Sequence, residues 1–504
     1  MPTTFTEADA RDTQALVRTA FDNLACTLLL LRIEDAPSAR AWLRLQSMGV
    51  ACVSQIGHDK PPVQQTIQLA LSAAGLRMLG HRDLLDQFAP EFTTSLYEDH
   101  NRLQRLGDIG RNAPSNWRWG VGEREPHVLL MLFANKDEIA SISTQVQSAA
   151  LAAGLSEVVS LATGDMDGFE PFGFRDGVSQ PTIDWDGTRE DGSDAHMDYH
   201  NQIAIGEFLL GYRNEYGLYT ERPLLDASDH SAQSLPFAEE QPDRRDLGRN
   251  SSYLVFRQLQ QDVNGFWRWV YGEAAGNDES ATSLAEAMVG RHITGEPFAG
   301  LGGRSILGVK SPRHDEPRND FTYSNDRPGL VCPIGAHIRR ANPRTGDYPT
   351  GRTGIWQKLL TLLGLSGTAE NDRIASARFH RVMRRGRKYG RALPASDAAR
   401  ASVDAVQAGL CFICLNANLA RQFEFVQGAW LANAKFAGMT NEQDPILGNR
   451  EPFPGSQPTD RFTRSQPGGP CRLSTSLPQF VTVRGGAYFF LPGLKALAWL
   501  LADR

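Results

Sequence analysis

The chain has 504 residues, which at roughly 150 residues per domain allows two to four domains or a pair of large ones, each able to bury a sizeable core. Hydrophobic residues make up 41% and charged residues 22%, with 47 glycines and 28 prolines, and this composition excludes a disordered, collagen-like or coiled-coil chain. The net charge of −6 provides no global footprint for nucleic acid and no attraction to an anionic membrane.

The N-terminal stretch MPTTFTEADARDTQALVRTAFDNL is polar and acidic, without the basic and apolar regions of an export signal and without a twin-arginine pair, so a cytoplasmic location is expected. An apolar strand is then predicted over 26–33, followed by a helix over 37–48, and HVLLMLFANKDEIASISTQVQSA reads as a second strand and helix. The stretch 184–248 is rich in Asp, Gly, Ser and Pro, which break regular elements, and the domain boundary is placed there, dividing 1–225 from 226–504. Beyond it the plan repeats: a strand over 252–259 leads into a helix over 263–271, and GLCFICLN followed by ANLARQFEFVQGAWLANA is again strand then helix. KALAWLLADR at the C-terminus reads as a short helix. Two halves of mixed strands and helices predict an α+β duplication with helices packed on antiparallel sheets. No run approaches the roughly 18 apolar residues that a spanning helix needs. Six cysteines are too few for a disulfide framework in a chain of this size, and the CxxC of Cys411 and Cys414 lies in an apolar run with no further ligands, so both are expected to be strand residues.

Three segments could carry chemistry. In FGFRDGVSQP (172–181), Asp-Gly is ordinarily a turn. Here, however, Gly173 and Gly177 bracket Asp176, which would let backbone approach a flat ligand while a carboxylate points into the site. In CPIGAHIRRANPR (332–344), a lone histidine is more often a core or surface residue than a ligand, yet the small residues beside His337 leave room for a bulky planar group. The flanking Arg339, Arg340 and Arg344 suit carboxylates such as porphyrin propionates. One imidazole without a companion ligand suits haem, whose macrocycle supplies four donors, better than zinc. The run FHRVMRRGRKYG (379–390) is by itself a solvated basic face, but beside the other two it offers a cation to face Asp176.

Together these segments resemble those of the dye-decolorizing peroxidases. GFRDG matches the GxxDG signature of that family, CPIGAHIRRANPR is similar to its proximal-histidine segment and MRRGRKYG to its distal-arginine segment. GEFLLGYRNEYG, SSYLVFRQLQQD, MVGRH and VRGGAYFFLPGL extend the likeness, which runs from about residue 24 to near the C-terminus. Length and the form of the histidine segment are similar to the larger, leaderless class V subgroup.

The resemblance implies two ferredoxin-like domains enclosing haem b, one per chain. It implies His337 as axial iron ligand, Asp176 as distal carboxylate and Arg384, in preference to Arg385, as distal arginine, with Gly177 and Arg339 also at the cofactor. Hydrogen peroxide would be reduced and aromatic or dye-like donors oxidised through a high-valent iron-oxo intermediate, with no nucleic acid or membrane as partner. The alternatives are a haem-handling protein with little turnover and, further off, an α+β protein binding nucleic acid through its arginines. A carboxylate with an ordinary pKa near 4 predicts an acidic optimum. Asn418 and Glu424 are candidates for the acceptor of the His337 Nδ1 proton, and Tyr389 for a surface residue relaying electrons from bulky donors. The interval between His337 and Arg384 contains TGDYPTGRTG and IWQKLLTLLG, which read as an insertion.

Overall fold

The computed structural model describes residues 4–57, 59–163, 168–187, 201–299, 301, 319, 321–346, 376–391, 393–401, 407–450, 455 and 457–503. The insertion read at 345–364 lies outside them except for Thr345 and Gly346.

The centre of the molecule is one nine-stranded sheet. Its strands are β1 (Ala25–Ile33), β2 (Gln65–Leu71), β3 (Val128–Ala134), β4 (Leu155–Ala162), β5 (Ser252–Gln261), β6 (Met383–Arg384), β7 (Arg387–Tyr389), β8 (Ala408–Asn416) and β9 (Val481–Leu491). They lie in the order β6-β8-β5-β9-β2-β3-β1-β4, with β7 also on β8, and every pairing is antiparallel. Strands of the first half form one wing and strands of the second half the other, joined where Phe490 of β9 stands opposite Leu71 of β2. The mixed α+β class is therefore met with a single sheet running through both halves. The division at 225/226 falls within a strand, Leu224–Asp226, that pairs with Arg244–Asp246.

The sheet is covered on both faces, which is why its strands read as nearly unbroken apolar runs. In β1, Leu29, Leu31 and Ile33 enter one core cluster while Cys26, Leu28 and Leu30 enter the other. The same alternation separates the two cysteines of the CxxC: Cys414 faces the first cluster and Cys411 the second, both as buried free thiols.

The predicted helices follow their strands. Helix α1 (Ala36–Ser47) starts where the Asp35 side chain accepts the Ser38 N–H, and it buries Ala39, Trp42 and Leu43 at helical spacing. Helix α2 (Ile139–Ala152) links β3 to β4, and α3 (Val263–Glu273), capped by Asp262, buries Val263, Phe266, Trp267 and Val270. The segment after β8 is also helical, but it is wound as a π-helix over Ala420–Glu424 and Val426–Leu431. That wider winding recurs where helices line functional sites. Among the described residues, no helix is long and apolar enough to cross a membrane.

Candidate active site

On the first-cluster face of the second wing lies a cavity of about 300 Å³. Its apolar wall comes from Leu259 of β5, Leu410 and Phe412 of β8, Val483 of β9, and Phe423 and Val426 of the π-helix. Asp176, His337 and Arg384, from three distant parts of the sequence, all line it.

Asp176 sits in a loop whose turns need positive φ: Gly168, Gly173 and Gly177 adopt +83°, +98° and +79°. A Cβ at Gly173 or Gly177 would meet no protein atom within 4 Å, so within the chain itself what these positions require is the backbone conformation. Gly177 does not line the cavity; it donates its N–H to Asp176 Oδ1 at 2.6 Å. Arg384 donates from one guanidinium nitrogen to the same oxygen at 3.0 Å and from the other to the Ser179 carbonyl at 3.3 Å. Gln180 sets this pairing. Its side chain accepts the Arg384 N–H and donates to the Arg384 carbonyl, zipping the loop to edge strand β6. Strand alternation turns the adjacent Arg385 the opposite way, onto the carbonyls of Leu16 and Val17. Burial raises the Asp176 carboxyl, but Arg384 and the Gly177 N–H outweigh it and hold the group below its ordinary value.

His337 opens a five-residue helix, α4 (His337–Ala341). Its Nδ1 is 2.9 Å from Oδ2 of Asp444, whose side chain is fully buried and whose Oδ1 accepts the N–H groups of Ile446 and Leu447. Burial raises Asp444 while the imidazole and these N–H groups pull it below its ordinary value, so it is a carboxylate and can only accept. In the neutral ring Nδ1 therefore carries the proton and Nε2 keeps its lone pair. Burial pushes the imidazole pKa down, but Asp444 leaves it raised overall.

The acceptor is thus Asp444, not Asn418 or Glu424. Asn418 accepts the Arg421 N–H in a local turn, and Glu424 is bound to Arg102 and Tyr488. Asp444, in the segment NEQDPIL, carried no motif; only its contacts across the fold reveal it.

The arginines flanking His337 also differ from expectation. Arg339 is buried against Asp326 and the carbonyls of Asp326 and Cys332, Arg340 binds the carbonyls of Trp430, Asn433 and Glu442, and Arg344 binds those of Asn319 and Phe321. They staple the histidine helix to its surroundings, and none of them lines the cavity. The cations that do line it, besides Arg384 and the Asp108-paired Arg257, are Arg175, Arg291 and Arg381. Tyr389 lies on the other face of the sheet, packed against the second cluster with its hydroxyl 3.3 Å from the Leu259 carbonyl.

The donor set fits haem. One imidazole with its second nitrogen fixed by a carboxylate opens on a cavity with an apolar wall for a planar macrocycle and arginines for two propionates. His292 and His380 also line the cavity, with the Nδ1 of His292 held by Glu286 and that of His380 by the Arg421 carbonyl; of the three, His337 is the one in the segment similar to a proximal-histidine segment. Among the described residues, no group of three or more His, Cys, Asp and Glu could hold a bare metal ion.

No family model matches the chain. It is 28% identical over 495 residues to the multifunctional dye peroxidase DyP2 of Amycolatopsis sp., covering 94% of this chain and 91% of that protein. It is 28% identical over 460 residues to peroxidase 2 of Mycetinis scorodonius, covering 86% and 75%. With dye-decolorizing peroxidase AauDyP1 of Auricularia auricula-judae it shares 27% identity over 474 residues, covering 90% and 79%. Among solved structures, a fungal DyP-type peroxidase from Auricularia auricula-judae superimposes with a TM-score of 0.70 over 98% of this chain and 99% of that one, at 23% identity. The chain is thus similar to dye-decolorizing peroxidases along nearly its whole length and shares their fold.

Proposed function

We propose that the protein is a haem peroxidase that reduces hydrogen peroxide and oxidises aromatic, dye-like donors, with one haem b per chain. The observation that carries this reading is the placement of the Asp176–Arg384 pair in the same cavity as an imidazole locked by Asp444. Haem bound there supplies an iron centre at which peroxide is bound and reduced. His337 Nε2 would hold the iron, and Asp444 orients its ring and raises its basicity. Arg175, Arg291, which also binds the Gly295 carbonyl, and Arg381, which also binds Asn201, are the lining cations that would face the propionates.

Asp176 and Arg384 handle the proton and the charge. The hydrogen bonds described for Asp176 both fall on Oδ1, which leaves Oδ2 to take a proton from the near oxygen of peroxide and return it to the departing one. The Arg384 guanidinium, fixed by Asp176, Ser179 and Gln180, stabilises the negative charge that grows as the O–O bond breaks. The apolar wall excludes bulk water and strengthens both effects. A cytoplasmic, reducing location accords with six free thiols.

The test is the absorption spectrum of haem-reconstituted protein, wild type beside His337→Ala, followed by one equivalent of peroxide. The expected result is a Soret band that depends on His337 and shifts on peroxide addition. A band inert to peroxide would mean haem handling without turnover, and no band would remove the assignment of the pocket.

A further inference from the structure

Glu170 lies in the wall of the same cavity, six residues before Asp176, and the proton and charge steps above make no use of it. The loop from 168 to 176 folds back on itself around this residue. Phe169 bridges Arg175, the Glu170 N–H donates to the Phe174 carbonyl, Gly173 N–H to the Glu170 carbonyl, and Asp176 N–H to the Gly168 carbonyl. Inside the turn, the Glu170 carboxylate accepts three donors. Oε1 takes the Phe174 N–H at 2.9 Å; Oε2 takes the Phe172 N–H at 3.0 Å and the side-chain amide of Gln261, the last residue of β5, at 2.7 Å.

Phe172 and Phe174 are buried, so without this carboxylate two main-chain donors would be left unsatisfied in the core. Trp267 holds the outer side of the loop through the Phe172 carbonyl, and Ile293 holds Arg175, but Glu170 is the group that fastens the inner side to the strand forming the cavity wall.

Resting on the reading of Asp176 as the proton-handling carboxylate, we infer that Glu170 is a positioning residue: its carboxylate clamps the Phe172 and Phe174 N–H groups to Gln261 and so fixes where Asp176 points. An acceptor-only group is required here. Glutamine has the same shape but one acceptor oxygen for two main-chain donors, so even with the Gln261 amide turned to present its oxygen, the Phe172 N–H would face an NH2 group. Burial pushes the Glu170 carboxyl up to about 7 against the pull of its three donors, and the Asp176 charge adds to that push, so the two carboxylates also sense one another.

The experiment uses holoenzyme of Glu170→Gln, Gln261→Met and Asp176→Asn. For Glu170→Gln the expected result is an unchanged Soret band and donor KM. With these, kcat/KM for peroxide falls about tenfold to a hundredfold, and main-chain amides at 172 and 174 exchange about tenfold faster by mass spectrometry. Gln261→Met, which removes only the tie to the sheet, moves both readouts the same way by less, and it stands in if Glu170→Gln does not fold. Wild-type exchange at 172 and 174, or faster exchange with unchanged peroxide kinetics, would overturn the inference. Asp176→Asn separates the two failures. If it is slow while Glu170→Gln is not, only the role of Glu170 falls; if it matches wild type, the reading of Asp176 falls.

Discussion

At the residue scale, the proposed role of Asp176 ties the operating range to its charge. Arg384 and the Gly177 N–H hold this carboxyl below its ordinary value, so its base form persists into acid. Apart from a step near 7 that Glu170 would add, the kcat/KM for peroxide should hold as pH falls and drop through that depressed pKa, so a loss centred between about 4 and 6 would contradict it. Asp176→Asn should cost about 10²- to 10⁴-fold in the same constant. Bulky donors raise a second residue question. Tyr389 is on the face of the sheet away from the cavity, and Tyr389→Phe should leave turnover of large dyes unchanged. Tyr216 is better placed for that role: it is 54% exposed and stacks on Phe379 at 4.3 Å, and the next residue, His380, lines the cavity and stacks on Phe425 at 3.8 Å. Tyr216→Ser should slow oxidation of large dyes while small phenols are oxidised at the wild-type rate, compared in parallel steady-state assays.

At the scale of elements, two strands and one short helix bring the site together. Strand β8 supplies Leu410 and Phe412 to the cavity only while it stays in register with β5, and that register depends on Gly409. A Cβ there would meet the Leu259 carbonyl oxygen at 2.0 Å and the Tyr389 hydroxyl at 2.6 Å. Gly409→Ala should destabilise the fold by about 1–3 kcal/mol or more, read from thermal or denaturant midpoints. Helix α4 needs Asp444 from a loop 107 positions away to orient its first residue. Asp444→Ala should weaken haem affinity about 10- to 100-fold, measured by haem titration. The strand and helix periodicities of both halves were legible in the sequence, since covered strands and amphipathic helices leave local patterns. The π-winding of 420–431 was not, because its apolar spacing is that of an ordinary helix and the extra turn width is imposed by packing.

At the scale of the whole molecule, two buried groups give stability opposite dependences on pH. His127 accepts the Ile33 N–H on Nδ1, and burial lowers it to about 4. The unfolded chain then binds more protons between about 4 and 6.5, and stability on the order of 3 kcal/mol is lost as pH falls through that window. Glu207, raised by burial to about 7, acts in the opposite sense and costs stability as pH rises from about 4.5 to 7. The two slopes offset one another between about 4.5 and 6.5, so urea midpoints should change little there, and His127→Gln, which keeps an acceptor for Ile33, should uncover a loss of stability as pH rises from about 4.5 to 7.

The sequence by itself determined the strand and helix pattern, the absence of any long apolar span and, through GFRDG, CPIGAHIRR and MRRGRKYG, three residues that meet in one cavity. These are local: periodicity, turn chemistry and short motifs are written in neighbouring residues. What only the tertiary structure decided is the partner of each group. It chose Asp444 over Asn418 or Glu424, turned Arg339 onto Asp326 and away from the cavity, set Tyr389 on the far face of the sheet, and enclosed Glu170 within the loop that carries Asp176. Those pairings join residues up to hundreds of positions apart, and they are settled by which buried donors must find acceptors once the sheet has closed, a condition no local stretch of sequence contains.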